Sequence, residues 1–257
     1  MQNTRRYYII TGAGSGIGRA TAIRFSRHQD AHLILIGRQL NTLNDTLALC
    51  ENVAQHQGVS MDIRDIKAWE DLWKQFAQDT FNLCGVFANA GEGGENHYGD
   101  NRWSEIIDIN LNGTYTTIMQ CHPYLQKSSD TVRHVLITSS CLARFGVPRY
   151  SAYCTSKTGL LGLTRSLALE FAHDHILVNA ICPGWVDTEM ASASMERLAS
   201  HQHKSLDLVR KEQAAMVPLQ RISEPDEIAA LVEFLFRGSQ RSITGQALDI
   251  NNGSYMS

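Results

Sequence analysis

Tyr7-Tyr8-Ile9-Ile10-Thr11-Gly12-Ala13-Gly14-Ser15-Gly16-Ile17-Gly18 decides how this chain folds. A short apolar run ends in four alternating glycines, and an amphipathic stretch follows. The run reads as a buried strand and the stretch after it as a helix. Glycines let the backbone turn tightly and let an anion approach the main-chain N–H groups at the helix start. Gly18 allows the helix to pack closely on the strand. The spacing departs from Gly-x-Gly-x-x-Gly, because position 19 is Arg. The strand before and the helix after nevertheless mark a dinucleotide-type turn, with Gly12, Ser15, Gly16, Ile17 and Gly18 as its contacts.

Outward from this turn the rhythm repeats. Strands are expected at 7–10, 33–36, 59–61, 86–89, 134–138, 177–181 and 247–250. Helices are expected at 17–27, 40–50, 66–78, 103–122, 151–173 and 225–236. The strands are almost continuously apolar, which predicts burial on both faces. Such alternation predicts an α/β fold of Rossmann type: a doubly wound parallel sheet of about seven strands, with helices on both faces. No linker divides residues 1–257, so one domain is expected. The stretch 186–216 breaks the rhythm. It lacks a strand and scatters its apolar residues, as a helical lid over a binding site would.

Composition excludes several functions. Hydrophobic residues make up 43% and charged residues 19%, as in a packed soluble protein. The net charge is −3 and no Lys/Arg run exists, which argues against nucleic acid and anionic membranes. The apolar run 7–10 is too short for a signal core or a span. The six cysteines form no Cys-x-x-Cys pair and sit mostly in apolar stretches. They are expected as buried reduced thiols, hence a cytoplasmic protein. His201 and His203 lack nearby partner ligands, so no metal site is expected.

Tyr153 and Lys157 stand four residues apart, on one face of the 151–173 helix. A phenol titrates near ~10, and a neighbouring cation favours the phenolate. The pair therefore reads as a candidate proton donor and acceptor. Ser140 lies thirteen residues upstream and is preferred over Ser139, expected as a backbone-satisfied hydroxyl. At the end of the second strand, Gly37 leaves room and Arg38 offers a guanidinium to a ribose 2′-phosphate. This favours NADP(H), with NAD(H) as the alternative. Asp62 is a candidate acceptor for an adenine amino group, and Asp65 a helix cap.

These residues together resemble the short-chain dehydrogenase/reductase family over nearly the whole chain. Thr11-Gly12-x-x-x-Gly16-Ile17-Gly18 resembles its cofactor turn, and Asn89-Ala90-Gly91 the tail of its Asn-Asn-Ala-Gly motif. Asn110, Ser140, Tyr153 and Lys157 match its catalytic set in order. Pro183-Gly184, Thr188 and Ile243-Thr244-Gly245-Gln246 match later signatures. The resemblance implies hydride transfer between a nicotinamide dinucleotide and a small-molecule ketone or secondary alcohol. Tyr153 would be the acid/base, Lys157 would lower its pKa and hold the nicotinamide ribose, and Ser140 would hold the substrate oxygen. Asn110 would anchor a water leading from Lys157. Ile63, Val186 and Thr188 join the implied cofactor contacts. A homotetramer is also implied. Two departures stand out: Ala88 replaces the first Asn, and Asn251-Asn252-Gly253 replaces Asp-Gly-Gly. The substrate pocket is expected from 92–99, 141–150 and the lid, with His97 and Arg144 as candidates for a polar or anionic group. Alternatives are a 3-oxoacyl-thioester reductase of fatty-acid or polyketide type, a non-catalytic dinucleotide-binding sensor or scaffold, and a Ser–Lys hydrolase. The last lacks a Gly-x-Ser-x-Gly elbow.

Overall fold

The computed structural model describes residues 5–76, 81–237 and 240–256. Seven strands form one parallel sheet: β1 (Arg6–Thr11), β2 (Ala31–Gly37), β3 (Gln57–Ser60), β4 (Leu83–Ala88), β5 (Arg133–Thr138), β6 (Ile176–Pro183) and β7 (Ala247–Ile250). Their spatial order is β3-β2-β1-β4-β5-β6-β7. The order reverses between β1 and β4, so a crevice opens there at the C-terminal strand ends.

Side chains alternate across the sheet with the period of two that strands impose. On β1, Ile9 joins one core with Trp69, Ile118, Leu160 and Leu167. Its neighbours Tyr8 and Ile10 join the other core with Phe25, Leu43, Val232 and Phe236. The first core lies under α3 (Ile66–Gln75), α5 (Thr114–Gln126) and α6 (Ser151–Glu170). The second lies under α1 (Gly16–Ser26), α2 (Leu40–Leu49) and α9 (Pro225–Arg237). The fold is thus a single doubly wound Rossmann-like α/β domain.

Several boundaries differ from expectation. β3 and β7 are the sheet's edges and remain partly exposed, so burial on both faces holds only for the inner strands. β3 begins two residues earlier than expected because its pairing with β2 starts at Gln57 opposite Ile34. The expected helix 103–122 is interrupted. It runs as α4 (Arg102–Ile107), a π-helical turn (Asp108–Gly113) and α5. The wide turn lets Gly113 sit against Ile63, where a Cβ would come 2.7 Å from the Ile63 side chain. α6 stops at Glu170, and a 3-10 turn replaces its expected last residues. α3 ends at Gln75 with Phe76 as its cap, and the expected helical positions 77 and 78 lie outside the described residues. Asp65 caps α3 by accepting the Ala68 N–H at 3.1 Å.

Stretch 186–216 forms α7 (Glu189–Gln202) and α8 (Leu206–Ala215). They share a small core of their own, Met195, Ala199 and Val209, with Trp185, Leu198 and Ile222 packed on it. Among the described residues no helix is long and apolar enough to cross a membrane.

Candidate active site

Three loops meet at the crevice. The turn after β1 enters α1, whose first residues are glycine-rich and whose N-cap Ser15 makes no side-chain cap. The first-turn N–H groups are therefore left for an external acceptor. A Cβ on Gly18 would lie 2.2 Å from the Gly12 carbonyl oxygen, and one on Gly12 would lie 2.9 Å from the Ala90 Cα. Only glycine permits this closeness, so strand, turn and helix leave a cradle bare of side chains. Thr188 caps α7 by accepting the Ala191 N–H at 3.3 Å. Its methyl would stand 2.9 Å from a Cβ on Gly16, which carries φ +49°. The start of the 186–216 stretch thus borders the glycine turn.

The loop after β4 is tied to the neighbouring strands through Thr11 and Asn89. Thr11 Oγ1 accepts the N–H groups of Asn89 and Ala90, each at 3.0 Å. Asn89 donates to the Thr11 carbonyl at 3.1 Å and accepts from the Thr138 hydroxyl at 3.0 Å. One asparagine therefore joins the ends of β1, β4 and β5 where Ala88 has no polar side chain. At the edge, Asp62 accepts from the Arg64 guanidinium at 2.7 and 3.0 Å, and Arg64 holds its carboxyl below the usual range. Asp62 thus already has an arginine partner at the position expected to face an adenine. Arg38 is exposed at the end of β2, with its Nη2 4.0 Å from Glu92. Gly184 lies against Asn251, and Val186 is buried beside a bridge to Ser223.

The third loop carries Ser140, and α6 carries Tyr153 and Lys157. Ser140 Oγ accepts the Leu142 N–H at 3.1 Å, leaving its own proton free to donate. Ser139 donates to the Lys157 carbonyl at 2.8 Å, the backbone-satisfied role expected of it. Lys157 is 4% exposed and its Nζ donates to the Thr138 carbonyl at 2.8 Å. Two of its N–H groups remain. A Cβ on Gly91 would lie 3.1 Å from Asn110 Oδ1 and 3.4 Å from Lys157 Nζ. Asn89-Ala90-Gly91, Asn110 and Lys157 are therefore brought together, with Tyr153 one helical turn before Lys157.

Electrostatics differ from the simplest reading of the pair. Burial pushes the Tyr153 phenol up to about 12, with the Ser140 hydroxyl working against it. Burial also lowers Lys157 to about 8. The ammonium lies 5.5 Å from the phenol ring centroid. Desolvation, rather than the expected stabilisation of a phenolate by Lys157, is the larger influence of the chain's own groups. Asn110 also departs from expectation. Its side chain accepts from the Glu92 N–H at 2.7 Å and donates to the Glu92 carbonyl and Ser156 at 2.9 and 3.1 Å. The amide thus holds the 92 loop, and its oxygen keeps one further acceptor site.

The two residues expected to meet a polar or anionic group have partners within the protein. Arg144 donates to the Ala247 carbonyl at 3.0 Å and to Asp249 at 3.2 Å, and packs on the Tyr255 ring. It ties the Ser140 loop to β7. His97 is exposed beside Glu95. Sequence reasoning missed Asn96. Its Oδ1 accepts the Ala152 N–H at 2.9 Å and its Nδ2 donates to Ser151 Oγ at 3.0 Å. It caps α6 from a distant loop, since Tyr150 makes no side-chain cap. The only sequence signal was an asparagine in a glycine-rich loop.

An uncapped helix start, a glycine cradle and a lysine-tyrosine-serine cluster at a switch point define an oxidoreductase fold built for a nicotinamide dinucleotide. A family model described as enoyl-(acyl carrier protein) reductase matches residues 12–255. The monensin polyketide synthase putative ketoacyl reductase of Streptomyces virginiae is 30% identical over 258 residues, 98% of each chain. The oxidoreductase UcpA of Escherichia coli (strain K12) is 32% identical over 256 residues, covering 98% of this chain and 95% of UcpA. Among solved structures, an actinorhodin polyketide ketoreductase with NADPH superposes with a TM-score of 0.89 at 26% identity, covering 98% of each chain. The chain belongs to the short-chain dehydrogenase/reductase family and is an NAD(P)-dependent oxidoreductase.

Proposed function

We propose that the protein reduces a small-molecule ketone, or oxidises the matching secondary alcohol, with NADP(H). The observation that carries this reading is the meeting of Lys157 and Asn110 at Gly91 beside the glycine turn, with Tyr153 one helical turn before Lys157 and the Ser140 hydroxyl acting on the Tyr153 phenol. The cofactor would be held by Gly12, Ser15, Gly16, Ile17 and Gly18 at the pyrophosphate. Asp62, Ile63, Asn89, Ala90 and Gly91 would flank the adenosine side. Pro183, Gly184, Val186 and Thr188 would flank the nicotinamide side. Arg38, exposed and opposed only at 4.0 Å by Glu92, supports the 2′-phosphate form. When bound, the dinucleotide supplies or accepts the hydride.

Tyr153 gives its proton to the carbonyl oxygen in reduction and takes it back in oxidation. Ser140, whose oxygen is already engaged by the Leu142 N–H, donates its proton to the same substrate oxygen and stabilises the charge that develops there. Lys157 keeps two donors for the ribose and for proton resupply, while Thr138 fixes its direction. Asn110 positions the 92 loop through its side chain. Residues 186–216 act as the lid of the single domain 1–257; Met190 of α7 stands 3.1 Å from a Cβ position on Gly93. A homotetramer is supported by exposed Trp103 on α4, Tyr115 on α5 and Leu169 on α6. A cytoplasmic location is supported by six free thiols.

A second reading, a 3-oxoacyl-thioester reductase, is favoured by the ketoacyl reductase among the relatives. A ketone panel including a 3-oxoacyl thioester, run with NADPH and with NADH, separates these readings and the idle-sensor alternative. Tyr153→Phe is expected to bind NADPH as wild type does and to lose turnover. Retained turnover overturns the mechanism.

A further inference from the structure

The first turns of α7 present one face to the loop that borders Tyr153. Met190, Ser194 and Arg197 recur at i, i+4 and i+7, the spacing of residues stacked on one side of a helix. Gly93 and Gly94 lie under this face. From the point where a Gly93 Cβ would stand, Met190 Sδ is 3.1 Å away and Tyr153 Cε2 3.9 Å. From the Cβ point of Gly94, Arg102 Nη2 is 3.4 Å away and Arg197 Nη2 3.7 Å. One residue step, about 3.8 Å, separates the two glycine Cα atoms. The same short loop therefore touches the phenol ring at one residue and two guanidinium groups at the next.

The two arginines come from different elements and are held differently. Arg102 of α4 spends Nη1 on Glu92 and Glu105, at 3.3 and 3.0 Å, and its Nη2 on the Gly93 carbonyl at 3.0 Å. Arg197 donates Nη2 to Ser194 Oγ at 3.1 Å. Ser194 is itself buried and donates to the Met190 carbonyl at 3.0 Å. Among the described residues no carboxylate lies within 4.0 Å of Arg197. The nearby acids are otherwise engaged: Glu95 with Arg149 and His97, Glu92 and Glu105 with Arg102. Arg102 is neutralised on its Nη1 side by Glu92 and Glu105, whereas Arg197 has no such partner, so the uncompensated positive charge beside Gly94 attracts an anion.

We propose that Arg197, with the Nη2 edge of Arg102, binds an anionic oxygen group, a carboxylate or a phosphate ester, on the carbonyl compound handled at Tyr153. The inference rests on the carbonyl-reductase reading of the site and names its substrate class. Met190 packs against the linking carbons, and Arg197 selects the charged end. Guanidinium is the suited cation because its planar fork matches either oxyanion.

The test uses matched ketones with the enzyme and NADPH: 4-oxopentanoate and 6-oxoheptanoate, each against its methyl ester, and 4-oxopentyl phosphate against its alcohol. Wild type is expected to favour at least one anion over its neutral partner about tenfold or more in kcat/KM, carried by KM. The carboxylate and phosphate arms tell the two anion sources apart. Arg197→Ala is expected to collapse that ratio toward one, and Arg197→Lys to recover part of it. In parallel, pentanoate and pentyl phosphate, which have no ketone, are titrated calorimetrically into the NADP-loaded enzyme and the Arg197→Ala variant. Equal use of anion and neutral partner by wild type overturns the anion site and leaves the reductase reading standing. No ketone reduced, with Arg197-dependent anion binding retained, sinks the reductase reading and supports the site. Neither reduction nor binding overturns both.

Discussion

Asn96→Ala removes a helix cap supplied from another part of the chain. The variant loses the acceptor for the Ala152 N–H, 2.9 Å away, and the donor to Ser151 Oγ, 3.0 Å away. It keeps the main-chain bond from the Asn96 N–H to the Arg149 carbonyl at 2.8 Å. A lost cap costs about 1 kcal/mol. The second bond is exposed to water and adds no more than about 0.5 kcal/mol. For a chain of this size that is a fall of about 2–5 °C in Tm. Tyr153 lies in the α6 turn that frays, so kcat should drop about three- to tenfold, while the affinity for NADPH should change less, because Lys157 sits a turn further in and the glycine turn lies outside α6. Asn96→Asp keeps the acceptor and places a negative charge at a helix start, so it should recover most of the loss. Thermal denaturation, steady-state kinetics and cofactor titration read all three. The reasoning fails if Asn96→Ala melts within 1 °C of wild type, or if Asn96→Asp is no better than Asn96→Ala.

Two further variants probe the cradle and the buried cation. Gly18→Ala drives a methyl to 2.2 Å from the Gly12 carbonyl oxygen, where backbone has to move; a destabilisation of about 3 kcal/mol and weakened NADPH binding are expected, and a wild-type urea midpoint with wild-type affinity would contradict the close packing. Lys157 titrates near about 8 in the fold against an ordinary 10.5, so between those values the unfolded chain holds more protons and stability rises with pH. That gain, up to about 3 kcal/mol, should be missing from Lys157→Met, which is also expected to lose turnover; parallel stability curves for the two proteins from pH 7 to 10 would refute it.

The sheet was legible because its signals are local. Continuous apolar runs such as 33–36 and 134–138 announce buried strands, and four glycines after the first one announce the turn. Edge position was not legible. Val59 reads as a core residue, and it packs against the core only partly buried, because β3 ends the run β1-β2-β3 that leads outward from the switch point. The break in the 103–122 helix was hidden as well. Asn110, Asn112 and Gly113 are weak helix formers but do not disclose a π-helical turn, which goes with Gly113 sitting against Ile63 from another part of the chain. At the site, residue identity carried Ser140, Tyr153 and Lys157, because spacing along one helix and from one strand end is a sequence property. The roles of Asn96, Arg102 and Arg197 depend on which loops meet. Arg144 read as a pocket candidate for a polar or anionic group for the same reason: nothing in 141–150 discloses that β7 lies beside it.

That tie has a consequence for the order in which the molecule can be completed. The guanidinium of Arg144 grips Ala247 and Asp249, so the loop bearing Ser140 is braced by a strand made more than a hundred positions later. During synthesis the glycine cradle and α6 can form well before that strand emerges. A growing chain therefore gains its glycine turn and α6 first, and acquires a braced Ser140 loop only after β7 has been made.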